Sequence, residues 1–276
     1  MSLLLAAVLA AAAAKSPSLS VRFEPAHPRL GDTVSVFVDR SEAASPPTIS
    51  VGDRTFPAFD LGKGRYRAFL PLSPLDKAGR RRVKVDDGKR TATVDVSVGA
   101  RKFGVQKIWL KGVPLGLDAI ERARVAEAKA LATPDKCWQG AFQRPASGRI
   151  SSPYGVRRYR NGIFLNDYYH RGIDYAPGAG ASVVAPADGK VVLVGVELEG
   201  FRVHGNTVGI DHGHGVVSFM LHLSRAVVRE GDSVRAGDPV GLVGASGAVT
   251  GPHLHWALYV NGVAVDPLPW LAAAVE

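Results

Sequence analysis

The sequence predicts a mainly β protein with an N-terminal immunoglobulin-like β-sandwich, a short helical connector and a C-terminal antiparallel β domain. Three observations lead there. Short stretches of alternating apolar and polar residues recur between residues 19 and 100. The 31 glycines and 18 prolines are spread along the 276 residues, so turns are many and strands must be short. A single segment between the two β-rich regions has the composition of a helix.

The chain opens "MSLLLAAVLAAAAAKSPS", with an unbroken apolar run over residues 3 to 14 that ends in small residues before Lys15. This run is too short to span a membrane and suits the core of an export signal, although no Lys or Arg precedes it. Residues 1–14 are expected to be a signal peptide with an Ala-x-Ala-like site at Ala12-Ala13-Ala14, and the mature protein to be exported, periplasmic or extracellular. No other long apolar stretch follows, so no membrane span is expected.

Over residues 15–100 the stretches "SLSVRF", "TVSVFV", "RYRAFLPL", "RRVKVD" and "TATVDVSV" read as strands, with the "DDGK" at 86 to 89 as a hairpin turn. Short strands at this spacing suit a small antiparallel sandwich. No cluster of His, Cys or acidic residues lies in this region, so a structural or positional role is expected. In the connector, residues 101–140, "DAIERARVAEAKAL" from 118 to 131 reads as one helix with Asp118 at its N-cap, broken by "ATPDK". Gly-punctuated β-structure then fills residues 141–276.

The net charge of +9 favours an anionic partner. The basic residues are scattered, with only short knots at Arg80-Arg81-Arg82 and Arg157-Arg158 that read as solvated surface. Without a recognition helix or zinc-finger spacing, nucleic acid is not expected as a partner. Cys137 is the only cysteine, which excludes an intrachain disulfide and a cysteine metal cluster; it reads as a small buried hydrophobe.

Of eight histidines, seven lie after residue 165. His170 and Asp174 are four apart in "HRGID", His222 sits in "MLHLS", and His253 and His255 flank Leu254 in "TGPHLHWALYV". On a strand, residues two apart share a face, so His253 and His255 enter one site while Leu254 packs behind. That spacing alone does not separate ligand from catalyst. A catalytic zinc site needs about three protein ligands and an open position, which two histidines and an aspartate can supply. His212 and His214 in "DHGHG" are also two apart, but glycines alternate with them, and turn or surface roles are expected. His27 and His204 read as loop residues.

"HRGID", "LHLS" and "TGPHLHW", in this order and preceded by "SSPYGVRR", resemble the lysostaphin-type zinc metallopeptidases, the peptidoglycan endopeptidase family, over roughly residues 145 to 270. The region from 20 to 110 looks like the β-sandwich that precedes the peptidase in some members. The resemblance implies a C-terminal peptidase domain of lysostaphin type holding one Zn2+ on His170, Asp174 and His255. It implies His222 and His253 as unligated histidines beside the metal, one taking a proton from water and the other stabilising the oxyanion. No His-Glu-x-x-His motif supplies a glutamate base. The family commonly has a tyrosine where this chain has Met220, a position expected to serve packing. Tyr168 and Tyr169 are expected in a substrate groove. The implied activity is hydrolysis of peptide cross-links of peptidoglycan. The competing reading is a non-catalytic module that binds the wall or activates an amidase, which would typically have lost metal ligands.

Overall fold

The structure, a computed structural model, describes residues 19–40, 45–109 and 116–275. The expected signal peptide lies outside the described residues. Among the described residues no helix is long and apolar enough to cross a membrane.

Eight strands build the N-terminal body: β1 (Leu19–Glu24), β2 (Thr33–Arg40), β3 (Thr48–Val51), β4 (Arg54–Phe56), β5 (Phe59–Gly62), β6 (Arg65–Pro71), β7 (Gly79–Asp86) and β8 (Thr91–Val98). They form two four-stranded antiparallel sheets, ordered β1-β2-β6-β5 and β4-β3-β7-β8. Val34, Val36 and Val38 from one sheet share a core with Ile49, Val83 and Val85 from the other, which is the expected sandwich. The β7–β8 turn is the one predicted at "DDGK". There Asp86 Oδ1 accepts from Gly88 N at 2.9 Å and Asp87 Oδ1 from Arg90 N at 2.7 Å, with Gly88 at φ +83°.

The connector contributes β9 (Val105–Ile108) and helix α1 (Ala119–Lys129). Asp118 caps the helix as expected, its carboxylate accepting from Ile120 N at 3.0 Å. This segment is more than a spacer. β9 pairs in parallel with β11 (Arg157–Arg160) of the C-terminal body, and Trp138 is fully packed into that body's core.

The C-terminal body adds β10 (Arg149–Ser152), β12 (Ile163–Phe164), β13 (Ile173–Ala176), β14 (Ser182–Val184), β15 (Gly189–Gly195), β16 (Asn206–Gly213), β17 (Val216–Ala226), β18 (Ser233–Val234), β19 (Pro239–Val243), β20 (Leu254–Val260), β21 (Val263–Val265) and helix α2 (Leu268–Ala272). Ten of these strands form one antiparallel sheet with the central order β10-β13-β20-β17-β16-β15-β18. Along β17 and β20 nearly every residue is buried, because both faces are covered.

The sandwich is docked onto this sheet. On β2 and β6 the even positions face the sandwich core, and the odd positions would face water in an isolated sandwich. Instead Thr33, Ser35, Arg67 and Phe69 are buried. Phe69 stacks at 5.6–6.2 Å against Trp270 and Trp138, and Thr33 Oγ1 accepts from Trp270 Nε1 at 3.3 Å. Arg67 lies over the Phe69 ring and meets His214 Nδ1 at 2.6 Å. Arg101 reaches Asp266 at 2.7 Å nearby.

Two expectations are corrected here. The turn expected at "DHGHG" is present, with His214 in it at φ +51°, but neither histidine is at the surface: His212, on β16, and His214 are both buried. His212 Nδ1 donates to the Asp188 carbonyl and its Nε2 accepts from Ser218 Oγ at 2.9 Å, while His214 stacks on Phe59. The glycines of "DHGHG" permit close backbone approach here, since a Cβ on Gly213 would fall 1.8 Å from the Asp135 carbonyl oxygen. Cys137, expected to be buried, is only half-buried.

Burial holds His212 at about 4, and burial together with the Arg67 charge holds His214 at about 4. Both imidazoles are neutral when folded, while the unfolded chain takes up protons at each near pH 6.5. Their contribution is therefore complete above pH 6.5 and is lost as pH falls towards 4. For His212 this amounts to about 3 kcal/mol. Urea unfolding midpoints measured from pH 7.5 to 4.5 should fall across this window, and His212→Gln should flatten the fall.

Candidate metal centre

The site forms where β13 and β20 lie side by side. Asp174 and His255 are direct register partners across that pair, so their side chains leave the same face. His253, two residues before His255, shares the face, and Leu254 is buried behind, as the alternation predicted. His170 precedes β13 in the chain. It is brought close by Gly172, where a Cβ would lie 2.2 Å from the Trp256 carbonyl oxygen, so only glycine lets the "HRGID" backbone run this near β20.

Three donor atoms converge. Asp174 Oδ1 is 3.0 Å from His170 Nε2 and 2.8 Å from His255 Nδ1, and the two imidazole nitrogens are 3.0 Å apart. Among the described residues this is the one group of three His, Cys, Asp or Glu residues placed to hold a metal ion. His170 Nδ1 lies 2.8 Å from the Pro153 carbonyl, which can only accept, so that nitrogen carries the proton. Its Nε2 lone pair then points at a carboxylate oxygen. A lone pair held against an anion in a buried site calls for a cation between them, and the donor set fits one. Burial alone would raise the Asp174 carboxyl, but His170 and His255 hold it well below the usual carboxylate range. Burial brings His255 down to about 4 against the pull of Asp174. The resting state is thus an ionised carboxylate with a neutral His255, the form in which these groups bind metals.

His222 reaches the same cavity by a different route. Leu221 is the register partner of His255, so in a regular strand His222 would face the opposite side. Instead His222 adopts φ +64°, which breaks the alternation and turns its ring into the cavity. Its amide donates to His204 O at 3.0 Å and its Nδ1 to Ser246 O at 3.0 Å. His253 Nδ1 likewise donates to Gly251 O at 2.9 Å. Both rings present Nε2 to the cleft, 5.1 Å apart by centroid. Burial, reinforced by His255 and His253, keeps His222 well below its ordinary value and hence neutral.

The cavity of about 810 Å³ extends beyond the histidines. Sequence reasoning placed Tyr168 and Tyr169 in a groove, and both line this cavity. Tyr169 is nonetheless buried, its hydroxyl donating to Ala264 O at 3.0 Å. Met220 is fully buried, as expected for packing. The Arg157-Arg158 knot is not a solvated surface. Arg158 lines the cavity, bonded to Gln106 Oε1 and to the Tyr168 hydroxyl at 3.2 Å each, with its guanidinium 3.8 Å from Asp174 Oδ2. His204 is more than a loop residue. Its Nδ1 and backbone amide bind Glu121 of α1 at 2.5 and 2.6 Å, and Glu121 is completely buried. Burial would raise the Glu121 carboxyl, but the His204 bonds hold it below its usual value. The helix is thereby tied to the segment whose carbonyl receives the His222 amide.

A buried His-Asp-His donor set able to hold a metal ion thus lies at the floor of a cleft, with His222 and His253 beside it. Residues 168–267 match the model of "Peptidase family M23". Over 120 residues, 44% of this chain, the sequence is 42% identical to the DD-carboxypeptidase/endopeptidase Mpg of Neisseria meningitidis serogroup B, covering 26% of that protein. Over 136 residues, 47% of this chain, it is 38% identical to the peptidoglycan DD-endopeptidase ShyA of Vibrio cholerae, covering 30% of it. The chain thus spans between a quarter and a third of these relatives' lengths. A Pseudomonas aeruginosa crystal structure provisionally assigned to peptidase M23 superposes with TM-score 0.67 at 29% identity, covering 90% of this chain and 96% of that one. The protein carries a peptidase family M23 domain.

Glu121→Ala should leave the His204 amide and imidazole donors without their acceptor and cost about 1–3 kcal/mol. Hydrogen exchange should quicken in residues 119–129 and 201–205, with strand β16 as the unchanged control.

Proposed function

We propose that the protein is an exported zinc-dependent endopeptidase that hydrolyses peptide cross-links of bacterial peptidoglycan. The observation that carries the reading is the simultaneous presence of three converging donors and two unligated, backbone-pinned histidines in one cleft. Substrate class follows from the relatives named as peptidoglycan endopeptidases, and a net charge of +9 suits a polyanionic wall. Export rests on the apolar run at residues 3 to 14. A donor set of two imidazoles and one carboxylate without thiolate suits zinc.

His170, Asp174 and His255 hold the ion. When bound, it supplies Lewis acidity for the scissile carbonyl and acidifies the attacking water. The chain's own part lies with His222 and His253. Each has its Nδ1 proton committed to a backbone carbonyl, so each offers Nε2 as an acceptor facing the cleft. One takes the proton from the attacking water at Nε2 and returns it to the leaving amine. The other takes a proton from solvent at Nε2, donates it as a hydrogen bond to the developing oxyanion, and releases it when the intermediate collapses. The three donors make an enzyme the better reading than an amidase-activating module.

Alanine at His170, Asp174 or His255 should remove both bound zinc and activity. Alanine at His222 or His253 should lower kcat by about 10²- to 10⁴-fold with zinc retained. Metal analysis of each variant, beside chromatography of peptidoglycan digests, separates the two classes. Loss of metal in His253→Ala with retention in His255→Ala would overturn the assignment. A chelator should abolish cleavage by the unaltered protein, and added zinc should restore it.

A further inference from the structure

The charge distribution in the cleft points to a second recognition element. Among the described residues lining the cavity, Asp174 is the sole acid and belongs to the donor set, whereas Lys129, Arg158 and Arg171 supply three cations. Arg158 stands nearest the donors and is held by Gln106 and Tyr168. Arg171 and Lys129 lie further out. The Arg171 guanidinium is 5.4 and 5.7 Å from the Tyr168 and Tyr169 ring centroids, and Lys129 Nζ is 4.9 Å from that of Tyr259.

Rings position these two cations without neutralising them. Among the described residues neither makes an ion pair with a carboxylate, and the two are close enough to repel: burial, then the Arg171 charge, lowers Lys129. Lys129 is half-buried and Arg171 exposed, so the cleft presents two like charges to a substrate, and their mutual repulsion meets no counter-charge among the described residues. An anion bound there would offset it.

His255, Ala257 and Tyr259 follow one another on the same face of β20, all lining the cavity. At a strand rise of about 3.4 Å per residue, Tyr259 lies on the order of 13 Å from His255. An extended substrate would cover that distance in three to four residues. We propose that Lys129 of the connector helix and Arg171 of the peptidase domain together bind a free carboxylate of the substrate peptide, three to four residues from the bond that is cut. The inference rests on the endopeptidase reading. It makes α1 part of the substrate-binding wall, and it predicts that the enzyme selects cross-linked peptides by their acidic groups.

The probe is a cross-linked tetrapeptide dimer prepared from peptidoglycan, used with its carboxylates free and again with them converted to carboxamides. The zinc-loaded full chain should cut the acid form with kcat/KM about tenfold or more above the amide, with the difference mainly in KM. Lys129→Met keeps the aliphatic stem against Tyr259 and should bring that ratio close to one, whereas Lys129→Arg should retain most of it. Circular dichroism checks that both variants fold. Equal rates on the two dimers in the unaltered protein, or an undiminished ratio in Lys129→Met, overturn the subsite while leaving the endopeptidase reading intact. If neither dimer is cut, that reading fails, and calorimetric titration of the same dimers decides the subsite. Tighter binding of the acid form, lost in Lys129→Met, supports it; equal Kd values overturn it.

Discussion

The registration of β13 against β20 is the constraint from which the site descends. Asp174 and His255 come from distant parts of the sequence and meet only because they are opposite one another across that ladder. A slip of one residue in either strand would send that strand's side chain to the other face and part the pair. The register is held on one side by burial of Ile173, Tyr175, Leu254 and Trp256, and on the other by Gly172 pressed against the β20 backbone. The remaining members of the site are fitted around this pair by local devices: a carbonyl that fixes the His170 tautomer, and a left-handed residue that turns His222 inward.

Those devices illustrate how a polar cluster is made to persist within an apolar sheet. His170, His222 and His253 each have Nδ1 satisfied by a backbone carbonyl, at Pro153, Ser246 and Gly251 respectively. For these three the nitrogen that faces the cleft is set by the backbone rather than by another side chain. The His222 strain is supported by two hydrogen bonds of its own, one to a segment that Glu121 anchors in turn.

Much of this was legible in the sequence, for physical reasons that can be named. The period-two pattern of "HLHWALYV" placed His253 and His255 on one face, and Asp118 marked the start of α1. The strands with clean alternation, β7 and β8, were readable because one face meets solvent. β3, β4 and β5, of three or four residues each, are too short to carry a period. The "DHGHG" turn was legible, but the burial of His212 and His214 was not, because tertiary approach of residues 133 to 138, Phe59 and Arg67 covers what the glycines present as an exposed turn. Arg158, Lys129 and Glu121 gave no sequence signal beyond charge, since what distinguishes them is which residues they face. For Arg158 its place within "SSPYGVRR" was the one available hint.

The second covered face of the β1-β2-β6-β5 sheet has a consequence for how the molecule holds together. Phe69, Trp138, Trp270 and Phe142 form one aromatic cluster drawn from both bodies and the connector. Separating the bodies would wet that cluster and expose the Arg67 guanidinium with its His214 partner, so the two bodies are expected to unfold together rather than as beads on a string. The walls of the cleft, drawn from both the connector and the large sheet, are thereby tied together by packing far from the His-Asp-His donor set.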